Sequence, residues 1–339
     1  MITGHLLRLG ISWIKLDSGV TNLLDHYTLL KSQFFLDYAA SKATQTTIKN
    51  VSLNAVRMLP VPLPPLAEQK RIVDKIKELQ PFIERYEKAW SKLEEFNMRF
   101  PGDMQKSILQ SAIQGKLVEQ NPEEGTGEEL YQQIQVEKQK HIQAGTIKNE
   151  KPLPEIMEDE KPFDIPESWK WVRLNSITIL NPKNDLDDNL NVAFIPMPCV
   201  ADGFRNNHTS EVRKWKEIRK GFTHFANGDI GVAKITPCFQ NRKSVIFKDL
   251  ENGYGAGTTE LSIVRVLDST LVSDFLLWFF KTDYFIANGV KSFTGTAGQQ
   301  RIHKDYLATC AVPLPPLAEQ KRIVAKLEEI LPLCEKLKK

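Results

Sequence analysis

VPLPPLAEQKRIV occupies residues 61–73, and the same thirteen residues return at 312–324. An identical run repeated 251 positions later marks a duplicated unit. Solenoid repeats run roughly 20–50 residues, so a unit this long is a whole domain with its connector. Each copy carries a helix start. Pro64 and Pro65 suit a first turn, where a missing N–H is no loss, and Glu68 follows near the positive helix end. Beyond it, apolar residues step by four and three through Ile72, Ile76, Leu79, Ile83, Tyr86, Trp90 and Leu93. The second copy steps through Ile323, Leu327, Ile330, Cys334 and Leu337. This spacing describes a narrow coiled-coil seam. The two helices are therefore expected to pack antiparallel, with Ile72, Ile76, Leu79, Ile83 and Tyr86 facing Ile323, Leu327, Ile330 and Leu337. Pro81 and Pro332 sit at matching places and predict a kink in both. A helix from Leu66 to Asn97 would span roughly 48 Å. PLPPL also fits a polyproline ligand, but its place ahead of both stripes favours a helix entrance.

Moving outward, Pro101-Gly102 is expected to end the first helix, and 103–118 to form a second one carrying Ile108, Ala112, Ile113 and Leu117. Residues 119–168 hold thirteen acids against five lysines. They read as an exposed linker with one helix over 128–143 and an extended, Pro-rich end. From Trp169 the pattern turns to short strands (VRLNSITIL, VAFIPM, GDIGVAKI, KSVIF, ELSIVRV), then a helical stretch, then the polar loop SFTGTAGQQRI. Residues 169–311 thus form a mixed α/β domain.

The chain has 339 residues, 41% hydrophobic and 26% charged, with a net charge of +3. That length fits two or three domains, and the composition excludes global disorder. The longest strongly apolar run, Phe275–Phe280, is far short of the ~20 residues of a membrane span. With no signal-peptide pattern at the start, the expectation is a cytoplasmic protein with no membrane association. Cys199, Cys238, Cys310 and Cys334 are scattered, which argues against zinc and against a disulfide framework. Residues 169–311 carry eighteen Lys/Arg against fourteen Asp/Glu, a balance that permits nucleic-acid binding.

Within that domain, Lys234, Thr236, Gln240, Asn241, Arg242 and Lys243 follow a predicted strand. Amides, hydroxyls and basic groups are the donors that meet base edges and phosphates; a solvated basic turn is the alternative. Thr294, Thr296, Gln299, Gln300 and Arg301 lie in a loop whose glycines permit close backbone approach; a mobile loop is the alternative there. Arg213, Lys214, Lys216, Arg219 and Lys220 form a basic run suited to phosphates or solvent, and Trp171 and Trp215 read as packing residues. No GxxxxGK[ST] loop occurs. Asp164, Glu167 and Lys170 lack nuclease spacing, and the histidines form no metal pattern. No catalytic and no metal-binding residue is expected.

Together, PLPPLAEQKRIV after a globular domain, GDIGVAKITPCFQNRKS at 228–244, GYGAGTTELSIVR at 253–265 and DIPESWKWVRL at 164–174 resemble the specificity subunit of type I restriction–modification systems. The resemblance covers nearly the whole chain. It implies an α+β fold: one complete target-recognition domain plus helical spacers packing as an antiparallel coiled coil. Residues 1–58 would be the tail of a first recognition domain, 59–120 the first spacer, 121–168 a linker, 169–311 the complete second recognition domain and 312–339 a shortened second spacer. The partners implied are double-stranded DNA, methyltransferase subunits and a restriction translocase. S-adenosylmethionine, ATP and Mg would act on those partner subunits, with no cofactor in this chain. A single complete domain reads one half-site, so a homodimer using the face of 103–118 would supply the second head. Two readings stay open beside this one: a coiled-coil adaptor that binds protein, and an inactive product of a rearranged gene.

Overall fold

The computed structural model describes residues 31–42, 53–147, 153–267, 270–296 and 298–337. Most of the expected first-domain tail, 1–30 and 43–52, lies outside the described residues. The chain divides into two compact units, Met1–Phe96 and Asn97–Lys339.

In the first unit, helices α1 (Gln33–Lys42) and α2 (Leu53–Arg57) are tied by the Tyr38 hydroxyl, which donates to the Ala55 carbonyl at 2.8 Å. Helix α3 (Leu66–Ile113) starts at the first repeat and runs across the division. Its N-terminal turn is closed by the Gln69 side-chain amide, which donates to the Pro64 carbonyl at 2.8 Å. Most of the expected seam is open: Leu79, Ile83, Tyr86, Trp90 and Leu93 are all exposed, and Ile76 is half-buried. Tyr86 and Trp90 stack on each other one turn apart.

Pro101-Gly102 does not end the first helix. Proline inside a helix removes a hydrogen bond and costs about 3 kcal/mol. Tertiary burial outweighs that loss here, because Leu109, Ala112 and Ile113 in the following turns are buried in the second unit. For the same reason the face of 103–118 is already covered, and it cannot serve as the open dimer contact expected from the sequence.

The second unit continues with α4 (Gly127–Gln143), opened by a capping box in which Thr126 and Glu129 exchange hydrogen bonds at 3.2 and 2.9 Å. Leu130 and Ile134 of α4 are buried in the main core, so 127–143 is part of the globular unit rather than an exposed linker. Gly127 is required at its first turn: a Cβ there would lie 2.2 Å from the Leu314 carbonyl oxygen.

Then follow β1 (Lys170–Arg173), α5 (Leu174–Ile177), β2 (Thr178–Leu180), β3 (Asn191–Ile195), β4 (Glu211–Lys214), α6 (Trp215–Ile218), β5 (Thr223–Ala226), β6 (Ile230–Ala233), β7 (Ser244–Ile246), β8 (Tyr254–Gly257) and β9 (Leu261–Val266). The chain closes with α7 (Ser273–Phe280), α8 (Asp283–Lys291), α9 (Tyr306–Thr309), β10 (Ala311–Leu314) and α10 (Leu317–Lys336).

Strands β2-β9-β6-β7 form one antiparallel sheet and β4-β3-β8-β5 a second, in which β3 and β8 run parallel. Strand alternation gives the first sheet two apolar faces. Val245, Phe247 and Ile263 meet Ile195 and Phe225 of the other sheet. Ile230, Val232, Ile246 and Val264 join the core that includes Leu276, Phe279, Phe280 and Phe285 of α7 and α8.

The second repeat is built in. Its Val-Pro-Leu is strand β10, paired antiparallel with β1. Helix α10 buries Ile323, Val324, Leu327 and Leu331 against Leu109, Ala112, Trp169 and Phe275, and Cys334 is buried as well. Leu337 is exposed and Ile330 only half-buried. The second seam is thus covered by neighbours of its own unit, along a wider 3.6-residue stripe than a 4-3 seam. Pro332 stands within the helix.

Candidate functional site

The two segments nominated from the sequence lie about sixty positions apart and are joined by backbone hydrogen bonds. Lys234 leaves the end of β6; its carbonyl accepts from Ile302 N–H at 3.1 Å. Thr236 N–H donates to the Gln300 carbonyl at 2.9 Å, and Ile235 bridges Arg301. Thr294 and Arg301 exchange bonds at 2.9 and 3.0 Å, which ties together the two ends of this segment. Gly295 and Gly298 take φ of 104° and 85° there, values that side-chain-bearing residues rarely adopt. Phe239 and Phe293 seal the base of both segments, ring centroids 5.8 Å apart. The Thr236 hydroxyl oxygen is buried with no hydrogen-bond partner.

Sequence reading passed over Glu260, the acid between these segments. Its carbonyl accepts from Lys234 N–H at 2.8 Å, and its carboxylate takes Arg301 Nε and Nη2 at 2.9 and 2.7 Å. Those bonds hold the Glu260 carboxyl below its ordinary range and raise Arg301. Burial lowers the Lys234 ammonium, against the pull of Glu260. The signal for Glu260 was present in GTTE just ahead of a strand, but an acid among candidate cations does not announce its partner.

Gln240, Asn241, Thr294, Thr296 and Gln299 are exposed, and Gln300 is half-buried. The Arg242 and Lys243 side chains are both bonded within the protein. Arg242 donates from Nε to the Lys281 carbonyl at 2.9 Å, pairs with Asp283 and lies over the Phe204 ring. Lys243 Nζ donates to the Met197 and Val200 carbonyls at 3.2 and 2.9 Å. Lys281, also unnoticed in the sequence, is fully buried and donates to the Gly203 and Arg242 carbonyls at 2.8 and 3.0 Å. Desolvation drives its ammonium down to about 7. These three cations fasten the 197–205 loop and the 239–243 turn to α7 and α8.

Of the basic run, Arg213 pairs with Glu211 and covers Phe194, and Arg219 pairs with Asp188. Lys214, Lys216 and Lys220 are exposed. Trp215 is buried against His224, as a packing residue. Among the described residues no group of His, Cys, Asp and Glu could hold a metal ion, and no helix is long and apolar enough to cross a membrane.

The family model for the type I restriction modification DNA specificity domain matches residues 13–95 and 166–339. The specificity subunit of the type I restriction enzyme EcoAI of Escherichia coli is 45% identical over 231 residues, 68% of this chain and 39% of that protein. The EcoEI specificity subunit of the same organism is 44% identical over 231 residues, with the same two shares. The chain spans about two fifths of the length of these curated relatives. A crystal structure of the HsdS subunit from Thermoanaerobacter tengcongensis is 22% identical, with a TM-score of 0.39 over 94% of this chain and 65% of that one.

Proposed function

As the chain belongs to the family of type I restriction modification DNA specificity domains, we propose that its second unit reads one half of a split DNA site and directs methyltransferase and restriction-translocase partners to it. The observation that carries this reading is the convergence of 234–241 and 294–301. Two polar segments remote in sequence share one hydrogen-bonded base and present exposed amides and hydroxyls around a fixed arginine. Such groups donate to and accept from base edges and phosphates. Catalysis belongs to the partner subunits, with S-adenosylmethionine, ATP and Mg acting there. Lys214, Lys216 and Lys220 add exposed charge for the phosphate backbone.

A second copy of the chain provides the second head. The open stripe Leu79, Phe82, Ile83, Tyr86, Trp90 and Leu93 replaces 103–118 as the contact. Large contiguous apolar surfaces mark association sites, and an isologous pairing would use this one twice. Two identical heads related by a two-fold read a palindromic split sequence, with half-sites about 34–36 Å apart.

Binding to duplex DNA across a salt series tests the main reading. Affinity should fall steeply as salt rises, because condensed counterions are released, and one duplex should outcompete random sequence. No DNA affinity with the methyltransferase present would return the chain to an adaptor role. A monomer by light scattering at micromolar concentration, partner bound, would remove the two-copy arrangement.

A further inference from the structure

Glu260 stands where an acid is least welcome to a polyanion, between the two segments that carry Lys234 and Arg301. Its geometry gives it a use. Arg301 offers five N–H groups in one plane. Glu260 takes Nε–H and one Nη2 hydrogen at 2.9 and 2.7 Å, and the Gln299 carbonyl takes one Nη1 hydrogen at 3.2 Å. One hydrogen on each Nη is left without an acceptor among the described residues, on a side chain that is 45% exposed. Glu260 itself is only 26% exposed in its side chain, and its backbone is bonded to Lys234 N–H and to the Thr258 hydroxyl. The guanidinium is thus held in place by a two-bond, charge-assisted pair on a fixed support.

A mobile cation satisfies itself with any phosphate, whereas a pre-oriented donor pair discriminates between acceptor patterns. The carboxylate also offsets the charge of Arg301 and repels a phosphate placed beside it. A neutral base edge meets no such repulsion. Guanine presents two acceptors side by side, O6 and N7, in the major groove, and arginine is their commonest partner. Resting on the DNA-reading role proposed above, we infer that Glu260 is the positioning residue of a base-reading Arg301, and that the base it reads is guanine.

The test uses the full chain with its methyltransferase partner, and the half-site defined by methylation mapping. Competition binding is measured against every single base-pair change in that half-site, and across a salt series, for wild type, E260Q, E260D, R301K and R301A. E260Q should lose discrimination at one G·C position by about 5- to 100-fold. Its affinity for random duplex should stay level or rise, since a negative charge has gone. R301K should relax the same position, and E260D, which keeps the charge, should retain more discrimination there than E260Q. Should E260Q fail to fold, R301K and E260D carry the same comparison. Wild-type discrimination at every position in E260Q and R301K would overturn the inference while leaving the DNA-reading role intact. So would R301A weakening all sequences alike with a salt slope lower by about one, the signature of a phosphate contact. A wild-type chain with no sequence preference at all would remove the role itself, and the inference with it.

Discussion

Residues 61–73 and 312–324 are chemically identical and structurally unequal. In both, the helix begins at the equivalent leucine, and the glutamine a little over one turn beyond the prolines donates to the equivalent proline carbonyl, at 2.8 Å in Gln69 and 3.0 Å in Gln320. Thirteen residues are enough to write that local start. Much of what surrounds it differs, although Val73 and its counterpart Val324 are both buried. Leu63 and Ile72 are 54% and 38% exposed, while their counterparts Leu314 and Ile323 are fully buried. Glu319 accepts the Trp169 indole N–H at 2.9 Å and the Gln120 amide at 2.6 Å, and Arg322 pairs with Glu124 at 2.7 and 2.9 Å. Glu68 and Arg71 are exposed. The comparison separates what a sequence specifies locally from what its surroundings add.

Matched substitutions at equivalent positions test this directly. Ile323→Ala should cost about 2–5 kcal/mol, as buried large-to-small changes do, whereas Ile72→Ala should stay within about 0.5 kcal/mol. Equilibrium urea unfolding measures both, and equal losses would break the comparison. Trp169→Phe keeps the ring packing on Phe275 but withdraws a donor from the buried Glu319, and should cost about 1–3 kcal/mol; thermal unfolding at neutral pH reads it.

Burial raises the Glu319 carboxyl above its usual value of 4.5, against the bonds from Trp169 and Gln120. The folded chain therefore holds that proton more tightly than the unfolded one. Its contribution to stability is full below 4.5 and is lost as pH rises through the raised folded value. Wild-type stability relative to E319Q should accordingly decline with rising pH across that window, and a pH-independent difference would contradict the account. The smallest effect belongs to the ion pair. Arg322→Ala should cost up to about 1 kcal/mol, less at high salt, and Arg71→Ala close to nothing.

Residues acting on near neighbours were legible. The helix expected over 128–143 forms as Gly127–Gln143, and the short strands expected in 228–265 form and line two apolar layers. The two polar segments around 234–243 and 294–301 were identified from composition, and the fold does join them. What failed to show was set by partners far along the chain. The α10 seam faces Leu109, Ala112, Trp169 and Phe275, none of which a heptad count on either repeat reveals. Arg242 has the chemistry of a base reader, but Asp283, 41 positions on, turns it inward. Pro101 is a sound local stop signal that burial of the next turns overrides. Glu260 became visible only when Arg301 was seen beside it.

Methylation mapping in cells carrying this chain and the methyltransferase partner proposed for it tests the central claim most directly. Modified adenines or cytosines should be confined to one recurring split sequence, lost when the chain is deleted and changed at a single base pair by E260Q. Methylation that is independent of the chain, or absent with the folded chain and its partner both present, would contradict it.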